Sequence, residues 1–326
     1  MIYLDNAAST QIHEDVLESM LPYLKEQYGN ASSIHRYGRL AHKAIEKARK
    51  QIAQLINADP SEILITSGGT ESNNTVLRGI PVNDLNNQII TSLIEHDAIL
   101  EPCKQLTETG LNIDYLPVDK FGTIDPSELK NHLSEKTCLV SIMFGNNEVG
   151  TVQRISEISK LCNERNIPFH TDAVQAVGKI PIDVKELGID LLSISSHKLH
   201  GPKGIGALFI KNGIKINPVI LGGGQEHGLR SGTENVANIV GFGKACEIAK
   251  NNLDENMTYV RKLRDLLVDR VLEEITEVTL NGDPKSRLPN NAHFTFLGVN
   301  GEDLIIKLDE YGIAASTGSA CSVNTQ

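Results

Sequence analysis

Between residues 62 and 210, short apolar runs alternate with stretches of helical character, and this alternation narrows the folds open to the chain. Glu62-Ile63-Leu64-Ile65-Thr66, Gln88-Ile89-Ile90-Thr91-Ser92, Cys138-Leu139-Val140-Ser141-Ile142-Met143 and Pro168-Phe169-His170-Thr171-Asp172 read as strands. Helices open after the first three, near Gly69, Ala98 and Ile155, and the fourth leads into Ala173-Val174-Gln175. Ile189-Asp190-Leu191-Leu192-Ser193-Ile194 and Gly206-Ala207-Leu208-Phe209-Ile210 read as two further buried strands. Strands alternating with helices predict a mostly parallel α/β sheet covered on both faces. Ligands of such sheets bind beyond the carboxyl ends of the strands. The polar residues here stand at those ends.

The flanks differ in texture. Residues 13–28 read as a helix stopped by Gly29-Asn30. Ala41, Ile45, Ala48, Ile52, Leu55 and Ile56 form the apolar stripe of an amphipathic helix, ended by Asn57-Ala58-Asp59-Pro60. After Leu221-Gly222-Gly223-Gly224-Gln225, a long helical stretch, broadly 236–274, precedes Val278-Thr279-Leu280, a strand at 292–297 and a helix near 303–308. The expectation is a large unit over residues 13–250. A smaller α+β unit would combine residues 1–12 with 251–326, its C-terminal part incomplete.

Composition excludes several classes of function. A net charge of -10 argues against nucleic acid or a membrane surface as the main partner. No apolar run approaches the ~20 residues of a membrane span, and the start, Met1-Ile2-Tyr3-Leu4-Asp5, carries no signal-peptide pattern. The five cysteines, Cys103, Cys138, Cys162, Cys246 and Cys321, lie far apart without a CxxC pair. That spacing suits a reducing, cytoplasmic setting and argues against a zinc cage or disulfide framework.

Four stretches carry chemistry. In Ser195-Ser196-His197-Lys198-Leu199-His200-Gly201-Pro202-Lys203-Gly204, a lysine follows a buried strand. Burial lowers the pKa of a lysine and suits it to Schiff-base chemistry, although a solvated strand-end lysine has the same sequence. Thr66-Ser67-Gly68-Gly69-Thr70-Glu71-Ser72-Asn73-Asn74 places small residues where backbone N–H groups and a helix dipole can face an anion. It lacks the ending of a Walker motif. In His170-Thr171-Asp172-Ala173-Val174-Gln175, an aspartate at a buried strand end needs a cationic partner or several donors, and a pyridinium nitrogen would serve as the cation. A plain helix cap is the alternative there, and a third metal ligand is lacking for His170 and Asp172. Glu95-His96-Asp97 puts an imidazole at another strand end, able to stack on a ring and move protons near neutral pH.

Together these stretches resemble the class V aminotransferase group of pyridoxal phosphate enzymes. Ala315-Ser316-Thr317-Gly318-Ser319-Ala320-Cys321-Ser322 is similar to the cysteine-bearing loop of cysteine desulfurases, in the NifS/IscS-like rather than the SufS-like branch. Asn146-Asn147-Glu148-Val149-Gly150 and Arg230-Ser231-Gly232-Thr233-Glu234-Asn235 also resemble family motifs, and the likeness begins at Leu4-Asp5-Asn6-Ala7-Ala8. The resemblance implies the fold type I of these transferases, with a seven-stranded central sheet.

The roles it implies fall on named residues. Lys198 would carry the cofactor covalently and shuttle the substrate α-proton. Asp172 would keep the pyridine nitrogen protonated, and Gln175 would contact the ring hydroxyl. His96 would stack on the ring and act in acid–base steps. Gly69, Thr70, Ser195 and His197 would bind the phosphate, joined by Thr233 of a second subunit in a homodimer. Asn147 would sit beside ring and substrate. Cys321 would take sulfur from L-cysteine as a persulfide, leaving alanine, and pass it to an iron–sulfur scaffold or tRNA-thiolation partner. No resident metal is implied, although Cys321 could ligate an iron–sulfur cluster in transfer.

The sequence stops five residues after Cys321. The resemblance implies several tens of residues more, with an arginine for the substrate carboxylate, a role that no residue here takes. On that basis the expectation is cofactor binding with little turnover from this chain alone. A selenocysteine lyase or other class V enzyme and an inactive cofactor-binding scaffold remain as alternatives.

Overall fold

The computed structural model describes residues 1–318. Its elements run β1 (Ile2–Tyr3), α1 (Glu14–Lys25), α2 (Arg36–Leu55), β2 (Ile63–Thr66), α3 (Gly69–Gly79), β3 (Gln88–Ser92) and α4 (Asp97–Glu108). Then come β4 (Asn112–Leu116), α5 (Pro126–His132), β5 (Thr137–Ser141), α6 (Ile155–Asn163), β6 (Phe169–Asp172), β7 (Leu191–Ser195) and β8 (Gly206–Ile210). The chain continues with α7 (Val236–Asn251), α8 (Leu253–Glu274), β9 (Val278–Leu280), β10 (Phe294–Phe296), α9 (Gly301–Glu310) and β11 (Ile313–Ala314).

Seven strands form the central sheet in the order β2-β8-β7-β6-β5-β3-β4. Only β8 runs antiparallel to its neighbours. The interior strands β5, β6 and β7 are buried at every position, as expected where helices cover both faces. Crossovers between parallel strands place the ends of β2, β3, β5, β6 and β7 on one edge. That edge carries Thr66, Ser92, Ser141, Asp172 and Ser195. The mostly parallel α/β sheet agrees with the alternation of the sequence.

The apolar stripe of α2 is buried at Ala41, Ile45, Ala48, Ile52 and Leu55, and it packs on α7. Gly243 of α7 permits the approach, since a Cβ there would lie 2.6 Å from the Ala48 Cα. The single helical stretch read over 236–274 is two helices, divided at Asn252. Asn251-Asn252 is a poor helix continuation, and the halves differ in burial. Seven residues of α7 are buried, but only Val268 of α8. Three elements escaped the reading, β4, α5 and β11. Edge strand β4 mixes Asn112, Asp114 and Tyr115 with its apolar residues and so lacks an apolar run. Outside the central sheet, β1 pairs in parallel with β11, bringing the first residues beside the last described ones. No helix among the described residues is long and apolar enough to cross a membrane.

A buried ion pair fastens the glycine-rich segment after β8 to the sheet. Arg49 of α2 meets Glu226 through two hydrogen bonds, at 2.7 and 2.8 Å, with the side chains 5% and 6% exposed. Arg49 also donates to the Ile63 carbonyl, and Glu226 accepts the Ile65 N–H at 2.8 Å. Glu226 and the following His227 both adopt positive φ, 47° and 57°, so the ion pair holds a strained turn. Removing one partner of such a pair leaves a buried unpaired charge and costs about 3–5 kcal/mol. Arg49→Met should lose that much in urea unfolding, and Arg49→Met/Glu226→Gln clearly less. Equal losses from the single and double variants would contradict this account.

Candidate active site

A cavity of about 470 Å³ opens at the carboxyl edge of the sheet, lined by Ser67, Gly68, Gly69, Thr70, Ser195, His197 and Lys203 among others. Its floor is the turn from β2 into α3. Gly68 has φ 151°, which disfavours a side chain, and a Cβ on Gly69 would lie 2.7 Å from Val174 Cγ2. The N-terminus of α3 therefore points free N–H groups and the positive end of its dipole into the cavity. Lys203 adds a cation. His197 contributes an imidazole that burial and the charges of Lys198, Lys203 and Lys179 push down to about 4, so it is neutral at neutral pH. This is a cradle for an anion such as a phosphate group.

Lys198 follows β7 in a single helical turn, Ser196–Lys198. It is half-buried rather than enclosed. Its ammonium donates to the carbonyls of Ala7 and Ala8, the latter at 2.8 Å. The N-terminal segment is tied down beside it, because Thr10 donates its N–H and its hydroxyl to the His197 carbonyl at 3.0 and 2.9 Å.

Asp172 ends β6 and is buried, 7% exposed. Asn73 of α3 donates to Oδ2 at 2.6 Å, and the Val174 N–H donates to Oδ1 at 3.0 Å. Both donors are neutral, and among the described residues Asp172 forms no ion pair. A buried carboxylate without a cation is incomplete by itself. A protonated pyridine nitrogen would complete it, so the residues present fit pyridoxal phosphate: a phosphate cradle, an amine and a carboxylate along one edge. The cap reading of Asp172 also holds, since the Val174 contact is a local turn.

Other predicted residues gather here with less intimacy. Gln175 is buried, and its Nε2 donates to the Ala7 carbonyl at 2.9 Å. His96 caps α4, its Nδ1 accepting the Ala98 N–H at 3.0 Å, which leaves Nε2 to carry the proton. Asn146 folds a turn by accepting the N–H groups of Glu148 and Val149 at 2.9 and 2.8 Å. That turn presents Asn147, half-buried, whose amide makes no hydrogen bond among the described residues. Thr233 is exposed and does not line the cavity of its own chain. Cys321 lies outside the described residues. The remaining cysteines are buried free thiols. Burial pushes those of Cys103 and Cys162 up to about 12 and that of Cys138 to about 11. All are inert as nucleophiles.

His170 is fully buried between the hydroxyls of Ser141 and Ser193, at 2.8 and 3.0 Å. Burial holds it down to about 3, as a neutral strand residue. Among the described residues no group of three His, Cys, Asp or Glu is placed to hold a metal ion. The sequence reading gave no role to Asn73, Lys179, Lys203 or the Ala7 and Ala8 carbonyls. Asn73 stands four residues beyond Gly69 on α3, a helical spacing that could have suggested it, whereas Lys179 lies in the non-helical turns that follow β6.

Glu95 is buried behind His96, its Oε1 accepting from the Ser92 hydroxyl at 2.7 Å and the Met143 N–H at 2.8 Å. Its Oε2 has no partner among the described residues. Burial, with the charge of Asp172 adding, pushes the carboxyl up to about 8. From about pH 4.5 to 8 the folded protein keeps a proton that the unfolded chain has released, so stability falls as pH rises. Glu95→Gln is neutral throughout. Its stability relative to the wild type should grow by on the order of 1 kcal/mol per pH unit across that window, read from urea unfolding. A flat difference would contradict a protonated Glu95.

Comparison with known proteins places this geometry in a family. The profile described as Aminotransferase class-V matches residues 2–326. The cysteine desulfurase IscS of Dictyoglomus turgidum is 52% identical over 323 residues, covering 98% of this chain and 82% of that protein. The cysteine desulfurase IscS of Methanosarcina thermophila is 50% identical, covering 98% and 80%. Among solved structures, a NifS-like protein superposes with a TM-score of 0.93 at 40% identity, covering 99% of this chain and 90% of the other. SspA in complex with cysteine gives 0.86 at 36% identity, with coverage of 99% and 90%. The sheet with its single reversed strand is thus the fold type I scaffold that the sequence resemblance implied, and the chain belongs to the class V aminotransferase family, among the cysteine desulfurases.

Proposed function

We propose that this chain is a pyridoxal phosphate-dependent cysteine desulfurase that converts L-cysteine to L-alanine and takes the sulfur onto Cys321. The observation that carries the reading is the placement of Lys198, the cation-free Asp172 carboxylate and the α3 cradle along one sheet edge. Kinship with named cysteine desulfurases, and with SspA solved in complex with cysteine, supports the choice of reaction and substrate.

Pyridoxal phosphate, when bound, supplies an electron sink for the substrate α-carbon. The chain's residues do the rest. Gly69 and Thr70 at the α3 N-terminus, with Ser195 and His197, bind the phosphate. Asp172 holds the proton on the pyridine nitrogen, itself held by Asn73 and the Val174 N–H. Gln175 would donate to the ring hydroxyl, and Asn147 would sit beside ring and substrate. His96 would stack on the ring and, through Nε2, move protons. Lys198 would hold the cofactor covalently, and its amine would carry the α-proton. Cys321 attacks as thiolate. The C–S bond of the substrate breaks as an S–S bond forms, leaving alanine and a persulfide.

The exposed Thr233, outside its own cavity, supports a homodimer in which it reaches the phosphate of the neighbouring subunit. The segment bearing it is anchored by Arg49 to Glu226 and by the Arg230–Glu71 pair at 2.8 Å. We assign residues 13–250 to the cofactor-binding unit and 1–12 with 251–326 to a smaller one, with the β1–β11 pair as support. Sulfur passes from Cys321 to an iron–sulfur scaffold or tRNA-thiolation protein in a reducing cytoplasm, a setting that suits four unpaired buried thiols.

Borohydride reduction of the yellow protein followed by peptide mapping should find the cofactor on Lys198, and Lys198→Ala should lose that link while staying folded. Attachment to another lysine would sink the assignment. Alanine released from L-cysteine above the Lys198→Ala background should disappear in Cys321→Ser, with cofactor binding retained. Alanine formation that survives Cys321→Ser would remove Cys321 from the reaction.

A further inference from the structure

Lys179 lies one turn beyond Gln175 and is the least expected cation of the site. Lys179 is half-buried, and desolvation of its amine, with the charge of Lys198, lowers it to about 7. Among the described residues it forms no ion pair. A lysine kept for packing alone would be better replaced by Met or Leu, since a buried cation without a counter-charge is costly. Its one hydrogen bond shows what it does: Nζ donates to Gln175 Oε1 at 2.9 Å.

That bond settles an orientation. An ammonium can only donate and a backbone carbonyl can only accept. Gln175 stands between the two, with Oε1 on Lys179 and Nε2 donating to the Ala7 carbonyl at 2.9 Å. Of the two orientations an amide can take, only one satisfies both neighbours. The same Ala7 carbonyl accepts from Lys198. Lys179, Gln175, Ala7 and Lys198 therefore form one connected set of hydrogen bonds that ends on the cofactor-binding amine.

We propose that Lys179 is a positioning residue that locks the Gln175 amide with Nε2 turned toward Lys198 and the cofactor ring hydroxyl. The inference rests on the role given to Gln175 under the proposed function. Without Lys179, Oε1 becomes a buried acceptor lacking a donor. The amide is then held only through Nε2 on the Ala7 carbonyl, and its donor is less firmly aimed.

The test titrates cofactor-free protein with pyridoxal phosphate, reading the apparent Kd and the visible absorption maximum. The proteins compared are the wild type, Lys179→Met, Lys179→Arg, Gln175→Ala and the double variant Lys179→Met/Gln175→Ala. Lys179→Met should weaken binding by about 10- to 100-fold, the worth of one charged hydrogen bond, and displace the band in the same direction as Gln175→Ala. Lys179→Arg, which keeps a cationic donor, should recover most of that loss. In the Gln175→Ala background, Lys179→Met should change Kd by less than about twofold, because its effect passes through an amide no longer present. Lys179→Leu, measured alongside, covers the case in which the methionine variant does not fold. Equal losses from Lys179→Met with and without Gln175 would overturn the inference, as would a wild-type band and affinity in Lys179→Met. If Gln175→Ala itself binds as the wild type does, the role of Gln175 falls and the inference with it.

Discussion

The site is organised by a carboxylate that the protein buries and does not neutralise. Asp172 sits at the end of a strand buried along its whole length, reached among the described residues by a side-chain amide and a backbone N–H. Low surrounding polarity makes an uncompensated charge expensive. A cation brought from outside the chain would therefore stabilise the arrangement. The same rigidity that makes the charge costly fixes where that cation must sit. Strands β5 and β7 flank β6, and the amine of Lys198 projects from the turn that follows β7.

Around this charge, the remaining groups divide by sign. The α3 N-terminus and Lys203 line the cavity, where the Glu71 carboxylate is paired with Arg230, and they suit a phosphate. Glu95, on the opposite flank, is kept protonated by burial, with its Oε2 left without a partner. Gln175 and the Ala7 carbonyl connect the site to the N-terminal segment. The first residues of the chain thus contribute backbone acceptors to a site that the sheet builds.

Much of this was legible in the sequence because buried parallel strands must be apolar runs and their ends must be where the polar residues fall. The runs ending in Thr66, Ser92, Asp172 and Ser195 located the sheet edge to within a residue or two. β4 was illegible because an edge strand faces water and carries Asp114 and Asn112. The division at Asn252 was hidden because both flanking helices share a helical pattern, and only burial separates them. Asn73 and Lys179 were missed for a related reason. Each acts through another side chain: the contact between residues 73 and 172 spans the fold and leaves no local mark, and that between 175 and 179 depends on a turn the sequence does not specify. The role of Cys321 came from motif alone.

The central claim, that Asp172 awaits a pyridinium cation, can be measured with two ligands that differ by one atom. Cofactor-free protein would be titrated with pyridoxal phosphate and with its 1-deaza analogue, in which the ring nitrogen is a carbon that cannot be protonated. The wild type should prefer pyridoxal phosphate by about 10- to 100-fold, the worth of a buried charge-assisted hydrogen bond, and Asp172→Ala should bind the two nearly equally. Equal binding of both ligands by the wild type, or an undiminished preference in Asp172→Ala, would contradict the account.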